Sequence, residues 1–166
     1  YLKTEVNDRT VLVGIVCVLR GLVVGNVADL FRHPDYKSEV KLFTAYYDPS
    51  EFEAISLGRE ELDEGGARCY DCYKLRLRST ADIAKRGGFD YFCTTLSISP
   101  YKNAEWLNSI GKELSEEYGV AYLYSDFKKK NGYKRSVELS AQYELYRQNY
   151  CGCVFSKVQA EKMTEK

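Results

Sequence analysis

Four cysteines stand in two close pairs, Cys69-x-x-Cys72 and Cys151-Gly152-Cys153. A thiolate is a soft anionic donor. Two of them at i and i+3 reach one metal when a turn or helix start brings both sulfurs to the same side. Gly152 lets the backbone bend sharply, so the second pair can also aim into one pocket. Seventy-eight residues lie between Cys72 and Cys151, so the spacing alone does not prove that the pairs meet. If a compact domain joins them, the product is a four-thiolate site for structural zinc or an iron–sulfur cluster, and spacing does not choose between the two. Arg68, Lys74 and Arg76 flank the first pair and would help lower its thiol pKa values. Cys93 sits inside an apolar run and reads as core. The close pairs read better as thiolates facing a metal than as disulfides, and no signal-peptide pattern is seen that would favour disulfides.

A second constellation is basic and aromatic. Residues 126–135 (DFKKKNGYKR) pack Lys128, Lys129, Lys130, Lys134 and Arg135 together with Phe127 and Tyr133. Cations there neutralise phosphates and aromatic rings stack on unpaired bases, the chemistry of RNA contact; the alternative is a solvated loop. Tyr101 and Lys102 lie in a similar loop, and Arg147 leads towards the Cys-Gly-Cys pair. Fifteen tyrosines are present, several of them in these loops. His33, the one histidine, fits no catalytic pattern and reads as a turn or surface residue.

The elements that must position these residues can be read from periodicity. Residues 10–18 (TVLVGIVCV) form a β-branched buried strand that leads to Cys17. Residues 23–31 predict a short helix ended by His33-Pro34, and residues 36–43 are ambiguous. Asp48-Pro49 opens a helix, and Glu64-Gly65-Gly66 is a loop that delivers Cys69 and Cys72. Residues 73–85 are helical and stop at Gly87-Gly88, 89–97 are a strand, 103–118 a helix stopped by Gly119, and 120–124 a strand. A helix follows from near Tyr133 to 145. The β-α-β-α alternation predicts an α/β fold, with a mostly parallel sheet flanked by helices in a single domain. In such a sheet the basic loop falls at the carboxyl end of a strand, where α/β domains place their sites.

Size and composition agree. The 166 residues suffice for one domain with a real core, and 45% are apolar while 29% are charged, as in soluble globular proteins. Net charge is zero, so attraction to a polyanion must come from local clusters such as 126–135. The longest apolar stretch, 11–30, is broken by Arg20, Gly21, Gly25, Asn26 and Asp29, and membrane insertion is not expected. A cytoplasmic location follows as an expectation. The first residue, Tyr1, hints that the chain is a fragment.

Four ordered motifs carry a resemblance. Glu64-Gly65-Gly66-Ala67-Arg68-Cys69-Tyr70-Asp71-Cys72-Tyr73, then Thr94-Thr95-Leu96-Ser97-Ile98-Ser99-Pro100-Tyr101-Lys102-Asn103, then Asp126-Phe127-Lys128-Lys129, and finally Leu145-Tyr146-Arg147-Gln148-Asn149-Tyr150-Cys151-Gly152-Cys153, resemble the QueH family of epoxyqueuosine reductases. The likeness covers residues 47–157, with 1–46 a divergent N-terminal part and 158–166 a tail. It implies a HUP-like three-layer fold and a cobalamin-independent reductase of the last queuosine step. Such an enzyme reduces epoxyqueuosine at the wobble position of tRNA with electrons from an external donor. It also implies a [4Fe–4S] cluster and a second iron, with Cys69, Cys72, Cys151, Cys153 and Cys17 as candidate metal ligands. Asp126 is a candidate catalytic residue, as an extra iron ligand or proton donor. Tyr101, Lys102, Lys128, Lys129, Lys130, Lys134, Arg135 and Arg147 are the candidate substrate contacts. One departure stands out: the family pattern has an adjacent Cys-Cys pair after the first strand, whereas Cys17 is flanked by Val16 and Val18. The segment His33-Pro34-Asp35-Tyr36-Lys37 echoes a family motif, but the chain from there to Tyr47 is short. The altered N-terminal part favours the competing reading, a non-catalytic RNA-binding module with a structural four-cysteine zinc site.

Overall fold

The computed structural model describes residues 2–6, 9–14, 41–42 and 48–164. Cys17, the expected helix over 23–31 and the segment 33–37 lie outside the described residues. Strands β1 (Leu2–Val6), β2 (Arg9–Gly14) and β3 (Lys41–Leu42) precede helices α1 (Pro49–Ser56) and α2 (Ala67–Arg86). Then come β4 (Tyr91–Thr94), a 3-10 turn (Leu96–Ile98), α3 (Ala104–Tyr118), β5 (Ala121–Tyr122), α4 (Gly132–Gln142) and α5 (Val154–Thr164). The strand order is β3-β1-β2-β4-β5. On one side β2, β4 and β5 run parallel, with Val11 opposite Tyr91 and Phe92 opposite Tyr122. On the other side β1 pairs antiparallel with both β2 and β3. The fold is α/β, as its β-α-β-α pattern predicts, with an antiparallel edge added to the parallel strands.

Local chemistry sets the helix ends. Asp48 caps α1 by accepting from the Ser50 N–H at 2.9 Å, with Pro49 in the first turn, and Asn103 caps α3 by accepting from Trp106 N–H at 3.1 Å. Each cap contributes about 1 kcal/mol. Gly119 ends α3 at φ 69°, a left-handed conformation that a side chain disfavours. The core forms where Tyr73, Leu77, Ala81 and Ala84 of α2 meet Leu107, Ile110 and Leu114 of α3 over Phe92 and Tyr122 of the sheet. α2 begins six residues before the expected start, so Cys69 and Cys72 ride on its first turns rather than in a loop. Val154–Thr164, whose apolar residues form no stripe, folds as α5 where the sequence predicts no element.

Chain direction explains where the site falls. α2 runs into β4 through the Gly87-Gly88 stop, so its first turns lie at the end of the sheet where β4 finishes. The loops after β4 and β5 leave that same end. The two loops and the first cysteine pair are therefore neighbours by construction.

Candidate metal centre and adjoining basic loop

The two cysteine pairs lie within electrostatic reach of one another. Cys72 is acted on electrostatically by Cys69 and Cys151, and Cys153 by Cys151 and Cys72. All five described cysteines are free thiols. The second pair sits on a tight turn in which Cys153 N–H donates to Cys151 O at 2.7 Å, the sharp bend that Gly152 permits. Gly65 N–H points at Cys69 Sγ at 3.3 Å and Ser156 N–H at Cys153 Sγ at 3.5 Å, so backbone donors already face two of the sulfurs.

Two buried cations attend the thiols. Arg76 is on α2, and its Nε has no hydrogen-bond partner among the described residues. Its charge acts on Cys72 and Cys151. Lys102, its side chain 6% exposed, pairs with Glu64 and is the second cation on Cys151. Burial lowers the affinity of Lys102 for its proton, but the Cys151 thiolate and Glu64 outweigh it and hold its pKa above the ordinary lysine range. The bond from the Cys153 thiol, against burial and aided by Lys102 and Arg76, pushes Cys151 well below the usual thiol range, and that same bond pushes Cys153 up. Burial raises Cys72, opposed by Arg76 and Lys102. Of the three cations expected to act on the first pair, only Arg76 is seen to do so. Arg68 instead donates to the carbonyls of Arg59 and Glu60 and lies 4.2 Å over the Phe155 ring, while Lys74 pairs with Glu113 at 3.4 Å.

Among the described residues no group of three or more His, Cys, Asp or Glu side chains stands ready-made around a metal position. The donor chemistry nonetheless fits a thiolate-bound metal: four thiols, with Cys151 pushed towards its anion, beside two buried positive charges that offset the anionic charge of such a centre.

The basic loop is anchored beside this centre. Asn108 of α3 holds Ser125 through two 3.1 Å bonds, donating to its carbonyl and accepting from its N–H. The buried Ser97 Oγ accepts from Phe127 N–H at 3.3 Å. Asp126, its side chain 18% exposed, pairs with Lys128 at 3.0 Å and Lys129 at 3.5 Å. Burial works against ionisation there, but the two lysines hold its carboxyl below the ordinary range. Arg135 pairs with Glu138, and Arg147 donates to Ser136 O and Ser140 Oγ while lying 5.8 Å over the Tyr133 ring. Lys130 and Lys134 are exposed and have no ion-pair partner among the described residues. Tyr101 is 79% exposed on the adjoining loop. The structure therefore gathers Cys69, Cys72, Cys151, Cys153 and Lys102 into one place, with Asp126 and Lys128 next to it. Lys130, Lys134, Arg135 and Arg147 are exposed, on the basic loop, the start of α4 and the segment that leads to Cys151. Glu64, Ser156, Ser97 and Asn108 escape the sequence reading, although Glu64 and Ser97 fall inside its motifs.

A family model, "Epoxyqueuosine reductase QueH", matches residues 28–159. The chain belongs to the QueH family. Its relatives of that name include the protein of Streptococcus pyogenes serotype M1, 48% identical over 117 residues, which are 70% of this chain and 46% of that protein. The Staphylococcus aureus protein is 43% identical over 124 residues, 74% of this chain and 52% of that protein. The Thermotoga maritima protein is 43% identical over 127 residues, 75% of this chain and 61% of that protein. The chain spans about half the length of the first two relatives. The QueH match begins upstream of the expected boundary at 47, and so takes in His33-Pro34-Asp35-Tyr36-Lys37. Among the described residues, no helix is long and apolar enough to cross a membrane.

Proposed function

We propose that this chain is an iron–sulfur-dependent, cobalamin-independent reductase that converts epoxyqueuosine in tRNA to queuosine. The observation that supports it best is the convergence of Cys69, Cys72, Cys151 and Cys153 beside the buried cations Arg76 and Lys102. Both C–O bonds of the epoxide break, a carbon–carbon double bond forms, and the oxygen leaves as water. This takes two electrons from an external donor and two protons.

The four cysteines, with Cys17 as a fifth candidate, would hold a [4Fe–4S] cluster and a second iron, which when bound supply one-electron transfer and Lewis acidity. The chain's own residues do the rest. Arg76 and Lys102 keep thiolates stable in a buried setting and draw electron density towards the site. Asp126, held ionised by its lysines, suits a metal ligand better than a proton donor. Lys130 and Lys134, with Arg135, Arg147 and Lys129 behind them, present positive charge to the tRNA backbone, and Tyr101 offers an exposed ring for stacking. A cytoplasmic setting, where thiols stay reduced, suits this chemistry.

Iron, sulfide and zinc content with an absorption spectrum, on protein purified without oxygen, tests the reading. Iron with matching sulfide, followed by conversion of epoxyqueuosine-containing tRNA, is the expected result. Zinc alone would point to a structural site and to the competing reading, a non-catalytic RNA-binding module, which the lone Cys17 favours.

A further inference from the structure

The two cysteine pairs are far apart in sequence, and no covalent link joins them. One carboxylate spans the gap. Glu64 precedes α2, five residues before Cys69. Its Oε1 pairs with the Lys102 ammonium, and its Oε2 accepts from Ser156 Oγ at 3.1 Å. Ser156 Oγ in turn accepts from Cys151 N–H at 2.7 Å, and Ser156 N–H faces Cys153 Sγ at 3.5 Å. The chain of bonds runs from the segment that carries Cys69 and Cys72, through Glu64, to the turn that carries Cys151 and Cys153. Lys102 and Ser156 are both buried, so breaking the bridge leaves polar groups without partners in a dry place.

We propose that Glu64 is the positioning residue that locks the two cysteine pairs into one donor set, holding Lys102 with one oxygen and Ser156 with the other. Glu64 acts through Ser156 on the Cys151–Cys153 turn and through Lys102 on the charge beside it. Groups that orient metal ligands from behind typically carry ten- to a hundred-fold in metal affinity. This inference rests on the four-thiol reading of the site but not on the reaction assigned to it.

Cobalt(II) is the probe, added without oxygen to the full metal-free chain. Thiolate-to-cobalt charge-transfer absorption per bound ion reports how many thiolates surround it. The unsubstituted chain should give a four-thiolate intensity. Glu64→Ala should lower cobalt affinity roughly ten- to a hundred-fold and reduce the intensity per bound ion, as one pair drops away, while circular dichroism stays unchanged. Ser156→Ala should do the same to a smaller extent, and it keeps the test open if Glu64→Ala folds poorly. Glu64→Gln, which still accepts from Lys102 and can donate to Ser156 Oγ, should recover most of the intensity. Undiminished intensity per ion in both alanine variants overturns the proposal, even where affinity falls along with helical signal. A two-thiolate intensity in the unsubstituted chain would instead sink the four-thiol reading, and this inference with it, before any substitution is made.

Discussion

Lys128 donates from its ammonium to the backbone carbonyl of Lys102 at 3.2 Å. Lys102 thus serves two neighbours at once: its own ammonium turns inward to Glu64 and the Cys151 thiolate, while its carbonyl holds the first lysine of the basic loop. Lys128 also pairs with Asp126, so a charged side chain links the loop after β5 to the thiol site. The run of three lysines is therefore not one uniform patch. Lys128 and Lys129 are engaged with Asp126, and Lys130 is left to solvent.

Contact with tRNA phosphates should accordingly fall most on Lys130 and Lys134. Replacing both by Ala is expected to weaken tRNA binding and to flatten the plot of log affinity against log salt by about 0.7–0.9 per lost contact. Fluorescence anisotropy across a salt series measures this. An unchanged slope would remove those two lysines from the RNA interface. Lys128→Ala should do more than remove one charge, because it also unfastens the loop from Lys102.

Loss of either member of the second cysteine pair should cost metal. Cys151→Ser and Cys153→Ser each replace a soft donor with a hydroxyl whose pKa is far too high to ionise here. The expected drop in metal affinity exceeds the roughly 10–100-fold that groups behind the ligands carry. Cys93→Ser, on β4, whose thiol is shifted by burial alone and not by the paired cysteines, should retain metal. Metal content after anaerobic reconstitution distinguishes them, and full retention in both Cys151→Ser and Cys153→Ser would break the four-thiol site.

Cys93 makes its own pH prediction. Burial raises its thiol to about 12 in the folded chain, whereas an unfolded thiol titrates near its ordinary value of about 8.5. The folded state then holds a proton that the unfolded state releases, so this group's contribution to stability falls as pH rises from about 8.5 towards 12. The limiting slope is about 1.4 kcal/mol per pH unit. Cys93→Val, close in volume and unable to ionise, should show a shallower decline in urea-derived stability between pH 8.5 and 10. Parallel curves for the two proteins would refute the assignment.

How much of this could be read in the chain beforehand depends on which force set each piece. Helix ends written in capping and stop residues, such as Asp48-Pro49, Asn103, Gly87-Gly88 and Gly119, stand where the sequence puts them. The start of α2 does not, because Arg68 and Arg76 are buried and blur the apolar face that would have revealed the helix. α5 is equally hidden: Val154 and Val158 are exposed and Phe155 packs under Arg68, so no stripe appears. The cysteine pairs are legible from spacing, but the Lys102–Glu64 bond is not. A lysine in a polar loop gives no local sign that it will turn inward, since that depends on a carboxylate thirty-eight positions away.

Gly111 should not tolerate a side chain. A Cβ there would lie 2.4 Å from the ring of Tyr122, a buried residue of β5. Overpacking of this kind typically costs 1–3 kcal/mol. Gly111→Ala is therefore expected to lower the urea midpoint by a corresponding amount with little change in slope. The double variant with Tyr122→Leu should recover part of the loss, because it removes the ring edge that the methyl group meets. Equal stability of Gly111→Ala and the parent would mean that α3 sits further from β5 than described.

Asp126 offers the sharpest test of roles within the site. Lys128 and Lys129 hold its carboxyl below the ordinary range, so near neutral pH it is an anion and carries no proton to give. Any metal ion it binds must compete with those two lysines for the same oxygens. Asp126→Asn keeps the shape and removes the charge. Should Asp126 ligate the proposed second iron, this variant is expected to lose iron while sulfide stays constant. Should iron and sulfide both stay at parent levels while tRNA binding falls, Asp126 serves to organise Lys128 and the loop, and the second iron needs other ligands. A variant whose turnover falls with an acid limb appearing between pH 5 and 7 would instead point to proton transfer, against the direction in which the lysines hold the carboxyl.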